Sequence, residues 1–164
     1  MKQTANQEKT FSLPLALLDA VPVILFSITL ILLMRVLPHP LMIIGGSCCI
    51  LGGLGKVIWK LMIALAHKDI PVLGAGLRYL MPLGFLLIVI GFFLAERSRV
   101  SLFWKQMASV PSLIFLILVC IGVLLMLFFA KKFDRRDVRG NWLEEITNVF
   151  LQTMVLLAVL FDGH

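Results

Sequence analysis

The chain has 164 residues, of which 60% are hydrophobic and only 15% are charged, and its formal net charge is +6. Soluble domains are about 45–50% apolar, so a chain of this composition would expose too much apolar surface in water. Basic residues commonly flank membrane spans, and this charge does not indicate nucleic-acid binding. We therefore expect a single all-α integral membrane domain over residues 1–164, with no room for a soluble catalytic domain.

Five apolar stretches predict a polytopic transmembrane helical bundle, because about 20 apolar residues are needed to cross the hydrocarbon core. Polar residues over 96–106 are predicted to form a connection between two of these spans. The last stretch has a polar first half, so four spans followed by an amphipathic C-terminal helix at the interface is the alternative. The predicted spans cover residues 16–36, 41–63, 77–95, 107–130 and 142–161.

The last apolar stretch carries polar side chains on one face. At 100° per residue, Glu145, Asn148 and Gln152 form a stripe, and Glu144 lies beside it. An ionised group facing lipid costs at least about 2.5–3.5 kcal/mol, so the stripe must face protein, water or headgroups. These four side chains are predicted either to bind a substrate or ion, with Glu145 holding a cation or a proton, or to make interhelical hydrogen bonds. The third interpretation places both glutamates among the headgroups.

The second apolar stretch combines small residues with two lysines. Gly45, Cys49 and Gly53 fall at i, i+4 and i+8, a spacing that lets another helix approach closely, so we expect a helix-packing face here. Lys56 and Lys60 share a face and either snorkel to the interface or line a polar cavity.

Asp19 lies near the start of the first span, either at the headgroup level or in that same cavity. Asp19, Lys56, Lys60 and Glu145 can meet only if all four lie at the same depth in the membrane.

Charge asymmetry predicts the orientation. With five spans, eleven basic residues fall on the side of the N-terminus and four on the other, which indicates a cytoplasmic N-terminus. Short loops and this bias suit a bacterial plasma (inner) membrane. The basic stretch Lys131–Arg139 is predicted to meet the anionic headgroups of the bilayer.

Motifs for metals, cofactors and catalysis are absent from the sequence. Cys48, Cys49 and Cys120 lie in apolar runs without a CxxC pair, and no nucleophile–base signature occurs. The favoured function is a small transport or channel-type subunit with an intramembrane polar site on the last helix. The alternatives are a non-catalytic accessory or assembly subunit of a larger membrane complex, or a membrane-embedded lipid-modifying enzyme. Because so small a bundle leaves little room for a pathway, we expect a homo-oligomer or a larger membrane-protein partner.

Overall fold

The computed structural model describes residues 13–66, 71–132 and 138–161. Within these ranges the chain forms six helices and no strand, in agreement with the predicted all-α architecture. The helices are α1 (Leu13–Val36), α2 (Pro40–Ala66), α3 (Pro71–Leu94), α4 (Arg97–Met107), α5 (Val110–Lys132) and α6 (Val138–Leu160).

Prolines begin two of the long helices. Pro40 and Pro71 are the first residues of α2 and α3, where the missing amide hydrogen costs nothing because that amide would have no partner within the helix. The third helix therefore begins six residues earlier than the predicted span at 77–95. The last helix also begins early, at Val138, and includes Gly140.

The predicted polar connection over 96–106 is helical in the structure, where it forms α4. This 11-residue helix follows Glu96 and turns through 107° from α3. It carries Arg97, Arg99 and Lys105 together with an aromatic cluster in which Trp104 meets Phe92 edge to face at 6.2 Å. A short helix that does not cross the hydrocarbon core needs only one apolar face, so its sequence can be polar overall. The following helix consequently begins at Val110.

The helices pack in the spatial order α3, α2, α1, α6, α5. The tightest contact joins α2 and α3, where a Cβ atom at Gly45 would lie 2.6 Å from the carbonyl oxygen of Gly84. A Cβ atom at Gly91 would similarly lie 2.8 Å from the amide nitrogen of Met42. Small residues let helix backbones approach closely, which is how helices associate where no water is expelled.

Four of the described helices are long and apolar enough to cross a membrane, and the number rises to five if α3 and α4 together form one bent span. α6 is among the four. Large apolar side chains are exposed along the bundle, including Phe93 at 81% and Val110 at 73%. Lipid is the environment in which such a surface is stable, and the chain is a multi-pass integral membrane protein.

Candidate functional site

Three charged side chains from three helices meet inside the bundle. Lys60 Nζ on α2 lies 2.6 Å from Asp19 Oδ2 on α1 and 3.9 Å from Glu145 Oε1 on α6. The exposed fractions of these side chains are 12%, 10% and 20% for Lys60, Asp19 and Glu145. We call these three residues the charged cluster. Its members are far apart in sequence and are brought together by the packing of α1 between α2 and α6.

The cluster lies at one end of the bundle, a short distance inside it. Asp19 is six residues from the start of α1, Lys60 six residues from the end of α2, and Glu145 seven residues from the start of α6. At 1.5 Å per residue each lies about 9–11 Å from its helix end. Because α2 runs opposite to α1 and α6, these three positions coincide in depth.

A cavity of about 180 Å³ extends from the cluster towards the middle of the bundle. Its walls come from four helices and combine two charged side chains, two carboxamides and apolar groups. The deepest lining residues lie about 20 Å from the same helix ends, close to the middle of helices that are about 35 Å long. The lining residues are Asp19, Pro22, Val23, Phe26, Gly53, Lys56, Met81, Phe85, Asn148 and Gln152.

The residues of the polar stripe on the last helix lie at two different features, the cavity and the charged cluster. Asn148 and Gln152 line the cavity, while Glu145 lies one turn away beside Lys60. Glu144 is half-buried and lines neither feature in the part of the chain that the structure describes. The stripe therefore faces other helices of its own chain.

The two lysines of α2 have different positions. Lys60 is directed to the carboxylates of the cluster, whereas Lys56, one turn deeper, is exposed and lines the cavity. Asp19 belongs to both features, since it pairs with Lys60 and lines the cavity wall. The condition that these residues share one depth is therefore met in the structure, and four side chains lie together: Asp19, Lys56, Lys60 and Glu145.

The small-residue face of α2 lies against α3 and α1. Gly45 makes the close approach to α3 described above, and Cys49 Sγ contacts the carbonyl oxygen of Met81 at 3.7 Å. A Cβ atom at Gly53 would lie 3.0 Å from Val23 Cγ1 on α1. Gly53 also lines the cavity, so the packing face ends where the cavity begins.

The apolar walls of the cavity were not predicted. Phe26 and Phe85 meet at its deep end, with ring centroids 5.8 Å apart and planes inclined by 37°. Pro22, Val23 and Met81 complete the walls near them. These residue types also occur throughout the lipid-facing surface, so nothing in the sequence distinguishes the residues that line the cavity.

The predicted headgroup site Lys131–Arg139 lies largely outside the described residues. Lys131 and Lys132 are exposed at the end of α5, and Lys132 Nζ is 5.4 Å from the centroid of the Phe128 ring. Among the described residues, no group of three His, Cys, Asp or Glu side chains could hold a metal ion.

Comparisons of the chain with protein-family models, curated proteins and solved structures give no match. The chemistry of the site must therefore be argued from its own geometry. Carboxylates and carboxamides beside a small cavity can hold a cation, a proton or a small polar solute, and the two lysines limit how much positive charge can be added.

Proposed function

We propose that this protein is a small transport or channel-type membrane protein whose charged cluster and cavity bind a cation, a proton or a small solute. The observation that carries the proposal is the cavity at membrane depth, which Asp19, Lys56, Asn148 and Gln152 line from three helices. Polar side chains at this depth are costly and commonly mark ion and solute pathways.

The orientation of the polar stripe supports this function over an accessory subunit. If Asn148 and Gln152 served to bind a partner helix, they would be expected on an outer face of the bundle, but they line a cavity within their own chain. The cavity size also favours a small ligand over a lipid headgroup, because 180 Å³ is below the roughly 300–1,000 Å³ of typical organic-ligand pockets.

The cluster also supports a threading with five crossings. Its contacts bring the starts of α1 and α6 and the end of α2 to the same end of the bundle, which supports a location on the same side of the membrane. α5 crosses once before α6, so the chain must also cross once between α2 and α5. α3 has 24 residues and a length of about 36 Å, sufficient for that crossing.

The charge asymmetry together with this threading supports a cytoplasmic location for the N-terminus and the cluster end of the bundle. A bacterial plasma (inner) membrane remains our proposed location. A bundle of five helices leaves little room for a complete ion or solute pathway within one chain. We therefore also propose that the chain works as a homo-oligomer or with a larger membrane-protein partner.

The function is tested by reconstituting the purified full-length protein into liposomes and following H⁺, Na⁺ and K⁺ with fluorescent reporters under imposed gradients. Glu145→Gln should reduce the flux and change its pH dependence, because it removes the titratable carboxyl group of Glu145 while keeping the size of the side chain. The matched control is Glu144→Gln, one position away and outside the cluster, which should behave as wild type. Flux that Glu145→Gln leaves unchanged would eliminate the proposed site.

Purification in mild detergent separates this function from the accessory alternative. A homo-oligomer that is active in liposomes supports a transport or channel-type protein. A larger protein that co-purifies in fixed stoichiometry, together with no flux from the chain alone, would support an accessory or assembly subunit instead.

A further inference from the structure

The two carboxylates of the charged cluster are not equivalent. Lys60 Nζ is in close ion-pair contact with Asp19 Oδ2 at 2.6 Å, whereas it stands 3.9 Å from Glu145 Oε1, at the outer limit of such a contact. A separation of 3.9 Å is too long for a hydrogen bond. The ammonium group therefore compensates Asp19 first and Glu145 only partly.

Glu145 also has an oxygen whose polar capacity is unused. Its Oε2 atom, like Asp19 Oδ2, is buried and has no hydrogen-bond partner among the described residues, but Asp19 Oδ2 has the ammonium group of Lys60 at 2.6 Å. The charged groups facing Glu145 are Asp19 from α1 and Lys56 and Lys60 from α2, with Glu144 next to it on α6. An ionised carboxylate that is buried beside another carboxylate is destabilised by lost hydration and by repulsion.

A single proton on Glu145 removes both the cost of burying its charge and the repulsion from the Asp19 carboxylate. Glu145 then carries no charge, while the ion pair between Lys60 and Asp19 is kept. The added O–H group also turns Oε2 from an acceptor without a partner into a donor directed into a site that contains the Asp19 carboxylate.

We propose that the ion bound at this site is a proton, carried by Glu145, while Lys60 stays paired with Asp19. This inference rests on the proposed function and names its ion. In the loading step an O–H bond forms at Glu145 as an O–H bond of a hydronium ion in the cavity breaks, leaving water. Release reverses the step, and no other reactant is needed.

A metal cation fits this geometry less well. The place between the two carboxylates, where a cation would be held most strongly, is already occupied by the ammonium group of Lys60. A metal ion would have to displace that group from a 2.6 Å contact in a site that also faces Lys56. A proton needs no coordination shell and leaves the Lys60–Asp19 pair in place.

The cavity provides a route for the proton. Asn148 and Gln152 lie on the same face of α6 as Glu145 and line the cavity towards the middle of the membrane. Carboxamides can donate and accept hydrogen bonds, so they can hold water in a chain that reaches the cluster. The Phe26–Phe85 pair lines the deep end of this route.

Infrared spectroscopy of the reconstituted protein tests the assignment independently of transport. A protonated carboxylic acid has a C=O stretch distinct from that of a carboxylate, and this band shifts in deuterated water. We expect such a band in wild type at neutral pH, its loss in Glu145→Gln, and its retention in Glu144→Gln. Elution as wild type in size-exclusion chromatography establishes that each variant is folded.

Liposome measurements then separate the two proposals. Proton flux that is lost in Glu145→Gln and retained in Glu144→Gln supports the inference. A carboxylic acid band that persists in Glu145→Gln, or no such band in wild type, overturns it. Flux of Na⁺ or K⁺ without proton movement overturns the proton assignment but leaves the proposed function intact. No flux of any of the three ions overturns the ion-transport function on which the inference rests.

Discussion

Replacement of Lys60 by methionine tests the charged cluster most directly. Lys60→Met keeps a long, flexible side chain but removes the ammonium group from a contact in which both side chains are about nine-tenths buried. Removing one partner of a buried ion pair costs about 3–5 kcal/mol, because the other charge is left uncompensated. Asp19 also lines the cavity, where water can solvate it, so we expect the lower end, about 3 kcal/mol.

The measurement uses a native thiol. Cys49 is fully buried in the fold, so in a Cys48→Ser, Cys120→Ser background its reaction with a maleimide reports unfolding as the temperature rises. For a chain of this size 1 kcal/mol corresponds to roughly 2–4 °C, so Lys60→Met should lower the unfolding temperature by roughly 6–12 °C. Combining it with Asp19→Asn should recover much of that loss, because no uncompensated aspartate then remains.

The chain contains a control pair at its surface. Arg99 Nε lies 3.3 Å from Glu96 Oε2, but these side chains are 51% and 68% exposed. Arg99→Met should leave the unfolding temperature almost unchanged, because water and salt screen this pair. If Lys60→Met were as stable as Arg99→Met, the buried ion pair would not exist in the folded protein, and the argument for the site would fail.

Two further predictions concern packing and threading. Gly84→Ala should destabilise the α2–α3 contact by about 1–3 kcal/mol, because its Cβ would lie 2.7 Å from the carbonyl oxygen of Gly45. Gly122→Ala, whose Cβ would meet Leu151 at an ordinary 3.6 Å, should be neutral or slightly stabilising in the same thiol assay, and equal effects of the two changes would contradict this reasoning. The two chain termini should label from opposite sides of the membrane, and labelling from the same side would exclude five crossings.

Much of the helical architecture could be predicted, because span length and apolar composition are local properties. The helical conformation of α4 was not predicted, because a polar sequence of this length is also typical of a loop. Arg97, Arg99 and Lys105 are compatible with a short helix that needs a single apolar face. The early starts of α3 and α6 were also not predicted, since Pro71 and Gly140 are residue types that commonly interrupt helices but here lie within the first turn.

The candidate site could be predicted in its components but not in its pairing. Helical periodicity placed Glu145, Asn148 and Gln152 on one face, and the predicted threading allowed Asp19 to lie at a similar depth. Whether Lys56 or Lys60 meets the carboxylates depends on the relative height of α1 and α2, since one turn is only about 5.4 Å. That height is set by packing between helices, which a single sequence does not contain.

The cluster also explains how α6 can lie in a membrane. It is the least apolar of the four spanning helices, and a glutamate within it would be unfavourable if the helix stood alone in lipid. α6 packs beside α1, and through the cluster it meets Lys60 on α2, so its polar side is covered by helices that precede it in the chain. The same contacts that make the helix stable in lipid also hold a carboxyl group beside a cavity. Stability of the last helix and formation of the candidate site therefore depend on the same three side chains.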